Sequence, residues 1–228
     1  MSKFRSSLII LFLLCSIGLT AQTTDDYGFR IGGKYKKKLN KKFGLTLKQE
    51  FRFRENASKF KKSNTTFSGE YKMKSWLRFR LNYRYTLNKR MKKRVLGQRH
   101  RLMGDIIFRK KHQKFRFSNR IRFQSEIKTV HYKNNRGFPP ATALRNTIKV
   151  KYRINKKYRP HFSVDFRFSL YDRSATHTGF NRHRIKAGVD ISVSKKHILD
   201  PYLMINRQWN IENPKRIFII GLNYKFKD

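Results

Sequence analysis

The chain has 228 residues, of which 56 are Lys or Arg and 13 are Asp or Glu, giving a formal net charge of +43. A pI near 11.0 points first to polyanionic partners, but 38% hydrophobic and 14% aromatic content, with 12 Gly and 5 Pro, exclude a disordered basic tail. The single cysteine, Cys15, lies in a leader segment, so disulfides, zinc-thiolate sites and cysteine catalysis are excluded.

Residues 1–21 read as an export signal. Lys3 and Arg5 form a basic start, Leu8 to Leu14 with Ile17 and Leu19 form an apolar run, and Leu19-Thr20-Ala21 precedes Gln22 with a small residue at the cut. Cleavage is expected after Ala21, leaving 22–228 as one domain. The apolar run is shorter than the ~20 residues of a spanning helix. Cys15 follows Leu14 without the small residue that lipoprotein cleavage needs. Export removes most intracellular readings, and no nucleic-acid partner is expected.

From there the pattern has period two. Candidate strands run through Tyr27 to Lys38, Phe43 to Arg54, Asn64 to Lys74, Trp76 to Leu87, Leu96 to Arg109 and Lys114 to Glu126. They continue through Ala143 to Ile154, Tyr158 to Tyr171, Arg182 to Val193, Leu199 to Asn210 and Ile217 to Lys227, about eleven in all. In the fourth, Leu77, Phe79, Leu81, Tyr83 and Tyr85 alternate with Arg78, Arg80, Asn82 and Arg84. A strand sends these two sets to opposite faces, and a helical period does not fit. Tight polar turns are expected at Leu39 to Lys42, Lys110 to Gln113, Asn155 to Lys157 and Ser194 to Lys196. Longer loops are expected at Asn56 to Ser63, Lys128 to Pro140 and Asp172 to Phe180.

Alternation also suits a soluble sandwich. Export, strands of roughly 10 to 12 residues, aromatic-rich apolar faces and alternating loop lengths favour instead an all-β antiparallel meander closed as a transmembrane β-barrel. About 10 to 12 strands are expected. Single-chain bacterial barrels have an even number, so twelve is favoured over the eleven segments found, with Thr23 to Tyr27 starting an extra strand. If the short turns are periplasmic, the first candidate strand runs toward the periplasm.

The closing segment places Phe218, Ile220, Leu222, Tyr224 and Phe226 on one face, which resembles the aromatic-rich last strand of bacterial outer-membrane proteins, here followed by Lys227-Asp228. Together with the stretch at 35–42 (Tyr-Lys-Lys-Lys-Leu-Asn-Lys-Lys), Gln98 to Leu102, Leu144-Arg145-Asn146, Asn181 to Arg184 and Gly221 to Phe226, the chain resembles an uncharacterised family of outer-membrane β-barrel proteins of Bacteroidota, a domain of unknown function of the 2490 type. The resemblance implies fold and location. It implies no activity and no catalytic residues.

On the barrel reading the inward face carries a candidate anion-binding lumen of Arg78, Arg80, Arg84, Arg120, Arg122, Arg145, Lys149, Arg182 and Arg184. Carboxylates in the same register are few: Glu50, Glu70, Asp105, Glu126, Asp165 and Asp190. A dry lumen would leave most cations unpaired at several kcal/mol per ion, against a total stability of about 5 to 15 kcal/mol. Water and mobile anions, or a bound polyanion, must therefore fill it. A narrow anion-preferring pore or an anion- and lipid-phosphate-binding barrel follows. The expected partners are small anions, outer-membrane lipid and lipopolysaccharide, and the outer-membrane assembly machinery during biogenesis. Cations in turns, among them Lys36 to Lys38, Lys110 and Lys111, read as solvated.

A barrel-embedded lipid-modifying enzyme is the alternative. Its best constellation is His161, Ser163 and Asp165, but alternate positions on one strand stand roughly 6.5 to 7 Å apart, too far for a hydrogen-bonded nucleophile and base without a partner from a neighbouring strand. The remaining histidines lack metal-ligand spacing, so no catalytic residue, metal or cofactor is expected. A secreted basic polyanion-binding β protein is a third reading. It does not explain why aromatics and cations occupy opposite registers, since single-strand binders mix them on one surface.

Overall fold

A computed structural model of the chain describes residues 24–89, 96–129, 140–171, 178–211 and 214–228. The expected signal peptide, its cleavage point and Cys15 lie outside the described residues, as does most of the two longest expected loops. The described residues form eleven strands: β1 (Thr24–Lys38), β2 (Phe43–Arg54), β3 (Lys59–Lys72), β4 (Leu77–Lys89), β5 (Leu96–His112), β6 (Phe115–Thr129), β7 (Ala141–Tyr152), β8 (Tyr158–Tyr171), β9 (Gly179–Ser192), β10 (His197–Gln208) and β11 (Lys215–Lys227). Each strand pairs antiparallel with the next, and β1 pairs with β11 to close the barrel.

The favoured count of twelve is corrected by this closure. Thr24 to Tyr27 are not a separate strand but the start of β1. With an odd number of strands the first and last run the same way, so the seam is parallel, from Thr24 opposite Lys215 to Lys36 opposite Lys227. The short connections after β1, β3, β5, β7 and β9 lie at one rim, which also holds Asp228. Thr24 lies at the other rim. Two loop expectations change as well. The loop at Asn56 to Ser63 shrinks to a turn at Glu55 to Ser58, because Phe60 packs on Phe53 across the hairpin at 5.8 Å and extends β3 backwards. Lys110 and Lys111, expected in a turn, belong to β5.

The tight turns follow from local chemistry. The Asn40 carboxamide oxygen accepts from the backbone N–H of Lys42 and Phe43 at 2.8 and 2.7 Å, and Asn155 does the same for Lys157 and Tyr158 at 2.9 and 2.7 Å. Each saturates a hairpin with one side chain.

Alternation sorts the faces as period two requires. Leu81, Leu203 and Ile220 are more than 60% exposed on the outer surface. Aromatic rings pair across strands at both rims: Tyr27 on Phe218 (5.6 Å) and Phe168 on Phe180 (5.1 Å) at one, Tyr35 on Phe226 (5.7 Å) and Phe43 on Tyr71 (4.9 Å) at the other. Inside, the buried side chains are chiefly polar or charged. The apolar exceptions include a clustered patch of Tyr202, Met204, Ile217 and Ile219 from β10 and β11 and the separate Met103, Ile107, Ala143 and Ile198. No helix among the described residues is long and apolar enough to cross a membrane.

Candidate functional site: a cation-lined chamber

The barrel encloses a cavity of about 740 Å³ whose walls are mostly lysine and arginine. It reaches the short-turn rim, where Lys38, Arg116, Lys227 and Asp228 line it. Its depth is set by register. Lys34 on β1 stands opposite Lys48 on β2, Lys48 opposite Thr66 on β3, and Thr66 opposite Arg84 on β4, so one inward row carries three cations across four strands.

Counter-charge in the chamber is concentrated at a few points. Glu70, nearly buried, gathers four cations: its Oε1 accepts from Lys36 at 3.0 Å and Arg78 at 2.9 Å, while Oε2 accepts from Arg80 and lies 3.8 Å from Arg109. Asp105 receives both Nε and Nη2 of Arg122, at 2.5 and 2.8 Å, a bidentate pair from adjacent strands. On the opposite wall the Lys225 ammonium bridges Asp190 at 2.6 Å and Asp200 at 2.7 Å, and Lys151 and Lys186 add to the same two carboxylates.

His161 completes that wall, with Nε2 2.8 Å from Asp200 and 3.9 Å from Asp190. It reaches Asp200 across β9 at Gly188, where an added Cβ would stand 3.0 Å from the imidazole and 2.7 Å from the Tyr202 Cβ. His161, Asp190 and Asp200 could converge on a metal ion by distance, but the Lys225 ammonium already supplies the cation between the two carboxylates. The partner that sequence could not supply for His161 is therefore Asp200, from two strands away. Asp165 is engaged elsewhere, accepting from Arg145 at 2.5 Å and Thr147 at 2.6 Å.

Of the expected lumen residues, Arg78, Arg80, Arg84, Arg120, Arg122 and Lys149 line the chamber. Arg145, Arg182 and Arg184 face inward but lie outside its lining: Arg145 is buried on Asp165, Arg184 donates to Asn206 at 2.8 Å, and Arg182 faces the Gln208 amide oxygen at 2.7 Å. Lys36 and Lys38, read as solvated turn residues, are instead part of the lining, as are Arg109, Lys225 and Lys227. Their even or odd position in the inward register was the available signal. Lys34, Arg116 and Lys149 line the chamber with no carboxylate among the described residues within 4.0 Å, and Arg84 donates to the Thr66 hydroxyl at 2.9 Å.

Toward the other rim several charges are paired. Glu50 accepts from Lys48 at 2.7 Å and Arg52 at 2.5 Å, and Glu126 accepts from Arg99 at 3.1 Å and from Arg101. Arg30 and Asn206 are buried beside the apolar patch, Arg30 with a donor on the Met204 sulfur and Asn206 opposite Ile217, and Gln124 is buried between Met103 and Ala143.

The family model for a protein of unknown function, DUF2490, matches residues 32–217. The chain belongs to this family. No curated protein matches the sequence. Among solved structures, one described as NanC porin in a rhombohedral crystal form aligns with a TM-score of 0.51 at 12% identity, covering 84% of this chain and 93% of that one. The β domain of the Bordetella autotransporter BrkA aligns at 0.45 and 13% identity, over 76% of this chain and 78% of that one. The family member described here thus has a porin-type closed β-barrel fold.

Proposed function

We propose that the protein is an outer-membrane β-barrel, exported with cleavage after Ala21, whose chamber draws in and concentrates small anions. The observation that carries the reading is charge imbalance in one enclosed space: Lys34, Arg84, Arg116 and Lys149 line it without a carboxylate partner. A cleft lined by one sign of charge with low-dielectric walls raises the local concentration of the opposite ion. The apolar outer band with aromatic rims supports the membrane placement. The exposed cations Lys59 and Lys215, at the rim away from the short turns, suit lipopolysaccharide phosphates, and folding in that membrane would use its assembly machinery.

Purified protein in a planar bilayer under a salt gradient should give a reversal potential of anion-selective sign, strongest near 0.01 M salt where the Debye length is ~30 Å. Arg84→Glu with Lys149→Glu should shift it toward cations. Cation selectivity in the unaltered protein would overturn the reading, and recovery in a detergent-soluble inner-membrane fraction would overturn the location. The paired charges and the Tyr202 patch toward the far rim favour a second reading, a barrel closed on that side that holds anions without conducting them. Anion binding with no conductance would select it.

A further inference from the structure

The cations of the chamber are not evenly compensated. Near β3 to β5, a single carboxylate, Glu70, serves Lys36, Arg78, Arg80 and Arg109, leaving three positive charges in excess around it. Lys34 adds to this side, near enough to Arg80, Lys36 and Lys48 for their charges to act on it. The wall made by β7 to β11 carries a smaller excess, because Asp190 and Asp200 face three lysines, Lys151, Lys186 and Lys225, with Lys149 beside them. The excess is therefore largest around Glu70, and it continues onto the facing wall of a space of about 740 Å³.

Separate monovalent anions would each lose translational freedom on entering so small a space and would repel one another there. One compact body carrying several negative charges bears the association cost once and meets the excess in full. The donors also select its chemistry. Guanidinium forks match pairs of oxygens on a tetrahedral oxyanion, and lysine ammoniums act as point charges on the remaining ones.

We propose that the chamber is a binding site for a compact, multiply charged oxyanion of the phosphoryl type, held between the Glu70-gathered cations and the unpaired Lys34, Arg84 and Lys149. This rests on the anion-concentrating reading above and names its ligand class. The chamber opens at the short-turn rim, so the ligand enters from that side.

The test is calorimetric titration of detergent-folded protein with tripolyphosphate, pyrophosphate, orthophosphate, citrate and chloride at matched ionic strength. Saturable 1:1 binding is expected, strongest for tripolyphosphate and falling with phosphate number, with citrate and chloride at least about tenfold weaker. Lys34→Gln and Lys149→Gln, which lose no ion pair and keep the barrel, should each weaken tripolyphosphate about tenfold, the value of one charge-assisted hydrogen bond. Lys157→Gln in an exposed turn should leave it unchanged. Unsaturable binding, citrate equal to tripolyphosphate, or equal losses in all three variants would overturn the assignment. Anion-selective conductance without tripolyphosphate binding overturns this inference and leaves the previous reading standing, whereas cation selectivity overturns that reading.

Discussion

The two halves of the interior use the same side chains to opposite ends. Toward the far rim, Glu50, Glu126 and Asp165 each accept from an arginine within hydrogen-bond reach, while Arg182 and Arg184 meet side-chain amides. Toward the short-turn rim the chamber stays open, and Lys34, Arg116 and Lys149 have no carboxylate among the described residues within 4.0 Å. Charge that is paired becomes structure. Charge that is left unpaired beside a cavity becomes a field for ions to enter.

The sharpest way to break this contrast is to remove one acid from the far half. Asp165→Asn strands the buried Arg145 guanidinium, and the expected cost is about 3–5 kcal/mol, read as a lower temperature for the heat-induced gel shift of the folded barrel. Next comes the outer face. Phe123→Arg, midway along β6 on the outer surface, should cost about 2–4 kcal/mol of membrane stability, seen as lower yield of folded protein in lipid vesicles. The parallel substitution inside, Gln124→Arg, tests packing rather than lipid.

Between the halves, Gly188→Ala places a methyl 2.7 Å from the Tyr202 Cβ and 2.8 Å from the Pro201 carbonyl oxygen. Backbone cannot yield as a side-chain tip does, so about 1–3 kcal/mol is expected to be lost, with the His161–Asp200 contact disturbed. An unchanged urea midpoint would show that β9 shifts freely. A smaller effect of opposite sign is expected at the β2–β3 turn, where Ala57 has φ of +64°. Ala57→Gly should stabilise by about 1 kcal/mol. The smallest change belongs to the open half: Lys149→Gln should alter the unfolding midpoint by no more than about 0.5 kcal/mol while lowering anion selectivity. A loss as large as that of Asp165→Asn would erase the distinction between the halves.

Much of the barrel is legible along single strands. β2 and β8 run as their alternation predicts, from Phe43 to Arg54 and from Tyr158 to Tyr171, because period two needs only neighbours i and i+2 to be read. The inward set of Arg78, Arg80 and Arg84 follows from the same rule. The start of β3 was not legible, since Lys59, Lys61 and Lys62 look like loop until Phe60 meets Phe53 on the partner strand. Strand number failed for a related reason: Thr24 to Tyr27 continue β1 because β11 is there to pair with them.

The sequence by itself determined which residues face outward and which face inward, because the backbone alternates its side chains whatever the partner. Only the tertiary structure decided which cations are neutralised. Glu70 meets residues from β1, β4 and β5, and His161 reaches Asp200 over a glycine in the strand between them. Such contacts depend on register between strands and on closure of the sheet, which no single segment encodes. Where a few carboxylates fall in that register sets which cations are paired and which line the open chamber alone.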